Sequence, residues 1–245
     1  MNTLGEEKEV SSFPLYTSLL LPSPRSRQAR YDLSHPYDLH RTLSRAFPEL
    51  PPAPTEAGKT AEQLAADEAR REVRCLFRME EAKRGLIVLA QSRIAPDWEA
   101  ITAAFPDYFV NLPEVKAWTP RFVEGQKLAF RLRANPTVKR NGKRQALLGE
   151  RERLQWLARQ AEAHGFTLPT IATIGGDTLP NAQVQEERVQ TGETARDFKV
   201  IHNAVSFEGA LRVTDPLRFA EAVASGIGSA KGFGFGLLSL AIRKA

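Results

Sequence analysis

Apolar and polar positions alternate along this chain in short blocks broken by proline and glycine, and the blocks recur in the same order twice. Residues 13–21 read as a strand, punctuated by Pro14 and stopped by Pro22 and Pro24. The basic stretch Arg25-Ser26-Arg27-Gln28-Ala29-Arg30 reads as a loop. Ser34-His35-Pro36 then signals a helix start with proline at the first helical position. Leu39, Leu43 and Ala46/Phe47 recur at helical spacing as far as about residue 47. In the next block Val73, Cys75 and Phe77 alternate with Glu72, Arg74 and Arg78, which predicts a half-buried strand over 72–78. The continuous apolar run within 85–91 predicts a buried strand, and Pro96-Asp97-Trp98 opens a short helix. Prolines 106, 113 and 120 mark a linker. The first half therefore reads β-α-β-β-α, with its last strand open.

The second half begins with a clean alternation over 127–133. Leu128, Phe130 and Leu132 point one way, and Lys127, Arg131 and Arg133 the other. A basic loop, 139–144, leads to a helix over 150–164 with Leu154, Leu157 and Ala161 inward and Gly165 at its end. Strands are predicted around 166–174, 182–190 and 198–207, the last turning at Glu208-Gly209 into 211–213. Asp215-Pro216 opens a short helix that stops at Ser225-Gly226, and 235–242 is a final strand. The order β-α-β-β-α-β is that of a ferredoxin-like unit, which the RNA-recognition motif also uses. The expected fold is α+β, two tandem ferredoxin-like βαββαβ domains over 13–120 and 121–245. Residues 1–12 form a polar leader without period, and 48–70 a flexible insertion with room for a short helix.

Composition narrows the chemistry. The chain has 245 residues, 42% hydrophobic and 26% charged, which is globular rather than disordered. Lys and Arg number 34 against 29 Asp and Glu, a net charge of +5 that permits a nucleic-acid partner without requiring one. The single cysteine, Cys75, excludes a disulfide scaffold and a cysteine-built zinc or iron–sulfur site. No apolar run is long enough for a membrane helix, and the acidic N-terminus is unlike a signal or transit peptide. These features point to the cytoplasm.

Gly226, Gly228, Gly232, Gly234 and Gly236 crowd into eleven residues. The spacing GxGxxxG after a helix is no dinucleotide fingerprint, and Lys231-Gly232 is no P-loop ending. Either this is a tight turn feeding a strand, or its bare amides and Lys231 approach a phosphate. Of the four histidines, His35 sits at a helix cap, His164 before a helix-ending glycine and His202 in a strand. None shows metal-ligand spacing, so no cofactor or metal is expected. Tyr37 and His40 share one helix face, about 100° from the Leu39/Leu43 stripe. They are either packing residues at a groove edge or a proton mover with a phenol beside it. Cations cluster at Arg25/Arg27/Arg30, at Arg41/Arg45, and from Arg131/Arg133 to Lys139, Arg140, Lys143 and Arg144. Solvated faces would explain each cluster singly; flanking the first strands of two such units, they suggest a phosphate track. Aromatic RNP patterns are missing, so backbone and shape recognition of a folded RNA fits better than base stacking across the sheets.

The stretch from Pro24 through Arg30 with Asp32-Leu33, followed by His35-Pro36-Tyr37-Asp38-Leu39-His40-Arg41-Thr42-Leu43, resembles the N-terminal signature of the CasE family. The likeness continues at 130–136, at Gly142-Lys143-Arg144 and through 226–239, nearly the whole chain in order. Members are the CRISPR repeat-processing endoribonucleases of type I-E Cascade complexes. The resemblance implies tandem ferredoxin-like domains that bind the repeat stem-loop and cut at its 3′ base without metal, leaving a 2′,3′-cyclic phosphate. It implies Tyr37 and His40 as the active-site pair, Arg45 as a holder of the scissile phosphate, and the glycine-rich loop with Lys231 as a support for the RNA backbone. It also implies a groove-entering hairpin at 182–199, including Arg188. That hairpin departs from a basic pattern, since Glu186, Glu187, Glu193 and Asp197 offset Arg188, Arg196 and Lys199. Its partners would be precursor and mature guide RNA and other Cascade subunits. The rival reading is a non-catalytic RNA-binding subunit of the same architecture; a third is a nucleotide-binding enzyme built on the glycine loop.

Overall fold

The computed structural model describes residues 13–49, 73–83, 85–186, 190–193 and 199–242, with only the backbone of 190–193 and 199–202. The leader, most of the 48–70 insertion and Arg188 lie outside the described residues. In the first unit, β1 (Leu15–Leu20) is followed by α1 (Arg27–Ser34), α2 (Pro36–Ser44), β2 (Leu76–Ala82), β3 (Gly85–Ser92), α3 (Glu99–Ala104) and β4 (Lys116–Trp118). The strands pair antiparallel in the order β2-β3-β1-β4. Leu20, Leu39, Leu43, Phe77, Val88 and Ile101 fill the core between helices and sheet. Each such side chain contributes about 1.5–3 kcal/mol relative to exposure. Strand β4 supplies the element left open by the sequence; three residues between two prolines carry too little alternation to be read.

The second unit begins with β5 (Lys127–Ala134), β6 (Thr137–Arg140), β7 (Lys143–Ala146), α4 (Glu150–Ala163), β8 (Phe166–Thr167), β9 (Thr170–Ala172) and β10 (Thr178–Pro180). It continues through β11 (Ala182–Glu186), β12 (Gln190–Glu193), β13 (Lys199–His202), β14 (Val205–Val213), α5 (Pro216–Ser225), a 3₁₀ turn (Lys231–Phe233) and β15 (Leu238–Ile242). Its main sheet runs β11-β14-β5-β15, so β5 is central, as β1 and β3 are in the first. Leu128, Phe130 and Leu132 are buried as their alternation predicts. Both units thus have the ferredoxin-like order.

Several expectations are corrected. Residues 25–30 are not a loop: Ser26 caps α1, its hydroxyl accepting from the Ala29 amide at 3.4 Å, and arginine, glutamine and alanine continue the helix readily. The following helix stops at Ser44, with Ala46 and Phe47 buried in a turn. The strand placed at 72–78 is β2, and its alternation fails because both faces are covered. Cys75, Leu76, Phe77 and Arg78 are all buried, one side by the first core and the other by the second unit. Arg78, 4% exposed, pairs with Glu80 at 2.5 Å and donates to the Leu237 carbonyl at 3.5 Å. Arg133 likewise does not face solvent with Lys127 and Arg131; it is 6% exposed. The basic loop 139–144 is a hairpin, β6-β7, turning at Asn141-Gly142 with φ of 50° and 77°. The expected strand 166–174 is broken into β8 and β9, and the last strand begins only at Leu238. The expected hairpin 182–199 divides: β11 joins the main sheet, while β12 and β13 form a separate ribbon, Gln190 opposite His202, and β12 lies beside α2.

Polar contacts fix the two units against each other. Gln91 donates to the Val223 carbonyl at 2.7 Å, and Arg93 pairs with Glu221 at 2.5 Å. Arg131 of β5 bridges Glu80 of β2 at 3.3 Å and Glu208 of β14 at 2.7 Å. This junction sets the loop before β15 against helix α2.

Candidate active site

Helix α2 starts where Pro36 supplies its own φ and Asp38 favours the positive helix end. Leu39 and Leu43 are drawn into the core, which leaves His40 on the flank. The His40 ring lies parallel to Phe77 at 6.2 Å, 12° apart. On another side it meets the bare backbone of Gly232, where a Cβ would stand 3.1 Å from His40 Cδ2. One helical turn earlier, Tyr37 stacks on Phe233 at 5.4 Å. The pair does share a face, and that face rests on the glycine-rich loop.

The loop needs its glycines for shape. Gly236 sits at φ +92° and a Cβ there would come within 2.9 Å of the Ile227 carbonyl oxygen. The Ile227 amide donates to the Gly236 carbonyl at 2.9 Å, and the Gly236 amide to the Arg133 carbonyl at 2.8 Å. The Arg133 guanidinium lies 4.8 Å from the Phe235 ring centroid and donates to the Gly234 carbonyl at 3.4 Å. Lys231 Nζ donates to the Gly228 carbonyl at 2.7 Å. Gly226, Gly228 and Gly234 also adopt positive φ, whereas Gly232 is needed for its close approach to the histidine.

Burial pushes the His40 pKa below its ordinary 6.5, and the nearby Arg74 cation adds to the effect. The imidazole is therefore neutral at pH 7. Its Nδ1 is buried and has no hydrogen-bond partner among the described residues. A cleft of about 990 Å³ opens beside it, lined in part by Arg41, Arg45, Arg74 and Lys231, with Asp38 and Glu49 as counter-charges. Arg41 reaches Asp38 at 3.4 Å, and the Arg45 guanidinium is 5.6 Å from the Phe105 centroid. Cys75 also lines the cleft, but burial pushes its thiol up to about 12, so it is no nucleophile. No three His, Cys, Asp or Glu side chains converge as metal ligands among the described residues. The arrangement can take a proton at His40 and hold an anion against the arginines of the cleft wall.

Tyr37 and His40 meet the glycine-rich loop at Phe233 and Gly232, and His40, Arg41, Arg45, Lys231 and Gly232 line the cleft. Tyr37 does not line the cleft; its ring packs on Phe233. Arg25, Arg27 and Arg30 are exposed on or just before α1, where Arg30 donates to the Pro24 carbonyl at 2.8 Å. Lys139, Arg140, Lys143 and Arg144 are exposed on the β6-β7 hairpin, with Arg140 3.5 Å from Glu152. Arg131 and Arg133 are used within the fold. Sequence reasoning missed Arg74, which it placed on the solvent side of a strand, and Tyr31, hidden in the unread helix.

Two sheets of ferredoxin-like order, with a histidine set between a glycine-rich loop and a cationic cleft, define a tandem ferredoxin-like α+β protein. A family model described as "CRISPR associated protein" matches residues 15–241, and the chain belongs to that family. It is 36% identical over 238 residues, 93% of this chain and all of the other, to the CRISPR-associated endoribonuclease Cse3 of Thermus thermophilus. Among solved structures it is similar to Thermus thermophilus Cse3 bound to an RNA representing a pre-cleavage complex. That match has 36% identity and a TM-score of 0.71, covering 94% of this chain and 100% of the other. It is also similar to a chain of a CRISPR RNA-guided surveillance complex in a pre-nicking state, at 25% identity and TM-score 0.59, over 93% and 100% of the two chains.

Proposed function

We propose that this chain is a cytoplasmic endoribonuclease that binds the stem-loop of CRISPR repeat RNA and cuts at its 3′ base. The observation that carries the reading is the His40 ring, packed on the Gly232 backbone at the edge of an arginine-lined cleft. The endoribonuclease named above and its RNA-bound form support it. The ribose 2′-OH next to the cut attacks the phosphorus and the bond to O5′ breaks opposite it. The products are a 2′,3′-cyclic phosphate and a 5′-hydroxyl. A neutral imidazole favours His40 as acceptor of the 2′-OH proton; O5′ takes a proton from solvent in the cleft, and Tyr37 braces the loop beside it through Phe233. Arg45 and the loop around Lys231 hold the phosphate charge. Such acid–base help supplies roughly 10²–10⁴-fold. No metal takes part. The exposed cations of α1 and the β6-β7 hairpin bind the RNA backbone, and the product stays with other Cascade subunits, in line with the surveillance-complex likeness.

The test is cleavage of an end-labelled repeat hairpin in excess EDTA by wild type and His40→Ala, with product ends mapped. Cutting should fall at least 100-fold in the variant while hairpin affinity stays within a few fold. Unchanged cutting by the variant would remove His40 from the reaction. Tight binding without cutting by the wild type would leave only an RNA-binding subunit.

A further inference from the structure

The cleft beside His40 is larger than a phosphate requires. About 990 Å³ lies at the upper end of the volumes that hold whole small-molecule ligands. Its wall is also more than cationic. Tyr31 lines it and stays 50% exposed, so its ring is reachable from the cleft. The His35 ring stacks on Tyr31 at 4.1 Å and 19°, and His35 Nδ1 lies 2.8 Å from the Tyr31 carbonyl oxygen. The tyrosine is thus held by a partner that is itself tied down. Another part of the wall presents Phe105, with Arg45 over its ring. Aromatic platforms beside cations are the chemistry that binds single-stranded nucleic acid, because every base has a face to stack and every phosphate a charge to match.

We propose that this cleft is a subsite for one unpaired nucleotide, the first on the 3′ side of the cut, with its base stacked on Tyr31 and its phosphates held by Arg45 and Arg74. The inference rests on the RNA-cleaving reading of His40 and deepens it. In-line displacement requires O5′ opposite the attacking 2′-OH, and O5′ belongs to the nucleotide beyond the stem, which no base pair holds. Anchoring that base fixes O5′, and misplacement by an ångström can cost about 100-fold in rate. Tyr31 is a binding residue for the leaving strand in this scheme, and His40 remains the proton acceptor.

The experiment is single-turnover cleavage of a repeat hairpin carrying either its natural base or an abasic ribose at the first position 3′ of the cut. With wild type, the abasic RNA should be cut roughly 5- to 150-fold more slowly, the range that base–aromatic stacking supplies. Tyr31→Ala should slow the intact RNA by a similar factor, have little further effect on the abasic RNA, and leave affinity for the stem-loop product unchanged. Tyr31→Phe, which keeps the ring, should keep the rate difference between the intact and the abasic RNA. Equal wild-type rates on the two RNAs would overturn the subsite while leaving the endonuclease reading intact. So would an equal slowing of both RNAs by Tyr31→Ala, which marks a purely structural role. Absence of wild-type cutting of the intact RNA would overturn both readings.

Discussion

Arginines 131 and 133 on β5 and arginines 25, 27 and 30 around α1 look alike in the sequence, two basic tracts beside the first strand of a unit. Their environments differ entirely. Arg133 is buried under the glycine-rich loop, against Phe235 and the Gly234 carbonyl. Arg131 is 47% exposed yet bonded to Glu208 and Glu80, closing the seam between the two sheets. The α1 arginines stand in solvent, and Arg30 only folds back on the Pro24 and Arg25 carbonyls. A positive charge in the sequence is therefore not a charge offered to RNA. Burial withdraws Arg133 from solvent, and pairing with two carboxylates commits Arg131 to the seam, whereas the α1 arginines remain at the surface.

Four measurements would break or sharpen this contrast. Arg133→Ala should be the most damaging, because it removes the buried prop of the loop. We expect a loss of about 2–4 kcal/mol in urea unfolding, of the size seen when a buried polar network is broken, and at least a tenfold slower cut. A variant of wild-type stability would place Arg133 with the surface cations. Arg25→Ala with Arg27→Ala should leave stability within about 0.5 kcal/mol. It should flatten the dependence of log affinity on log salt by roughly 0.7–0.9 for each phosphate that is no longer neutralised. Arg131→Ala should cost less than about 1 kcal/mol, as for an exposed pair, and leave the salt slope as it was. A slope change equal to that of the α1 variant would erase the distinction.

The gentlest probe is pH. His40 has a folded pKa below its unfolded 6.5. Well above pH 6.5 both states are neutral there and the residue adds no pH dependence. As pH falls below 6.5 the unfolded chain binds the proton first, so stability declines until the folded pKa is passed. His40→Gln should lose this component of the acid-side decline in unfolding titrations. An unchanged titration would mean that His40 is not held neutral by its surroundings.

Much of the fold could be read in advance where one face of an element is buried and the other wet. Leu128, Phe130 and Leu132 announced β5, and Asp215-Pro216 with Gly226 bracketed α5. Reading failed where composition hid the signal. Helix α1 was masked by its arginines despite Ser26 at its cap, and the β6-β7 hairpin by its lysines despite Asn141-Gly142 at its turn. Of the site, Tyr37 and His40 could be paired because helical spacing is local geometry. Arg74, Phe77 and Tyr31 could not, because their nearness to the pair or to the cleft depends on how distant segments pack.

The pattern of apolar and polar residues by itself determined two ferredoxin-like units, a histidine at the flank of α2 and a glycine-rich loop before the last strand. Which cations remain free, which face of His40 meets backbone, and where a cleft opens were decided only when the second unit closed on β2 and α2. Periodicity encodes the face each element turns toward its own core. It carries no information on what a second core, joined through Arg78, Gln91 and Arg131, will cover or leave exposed.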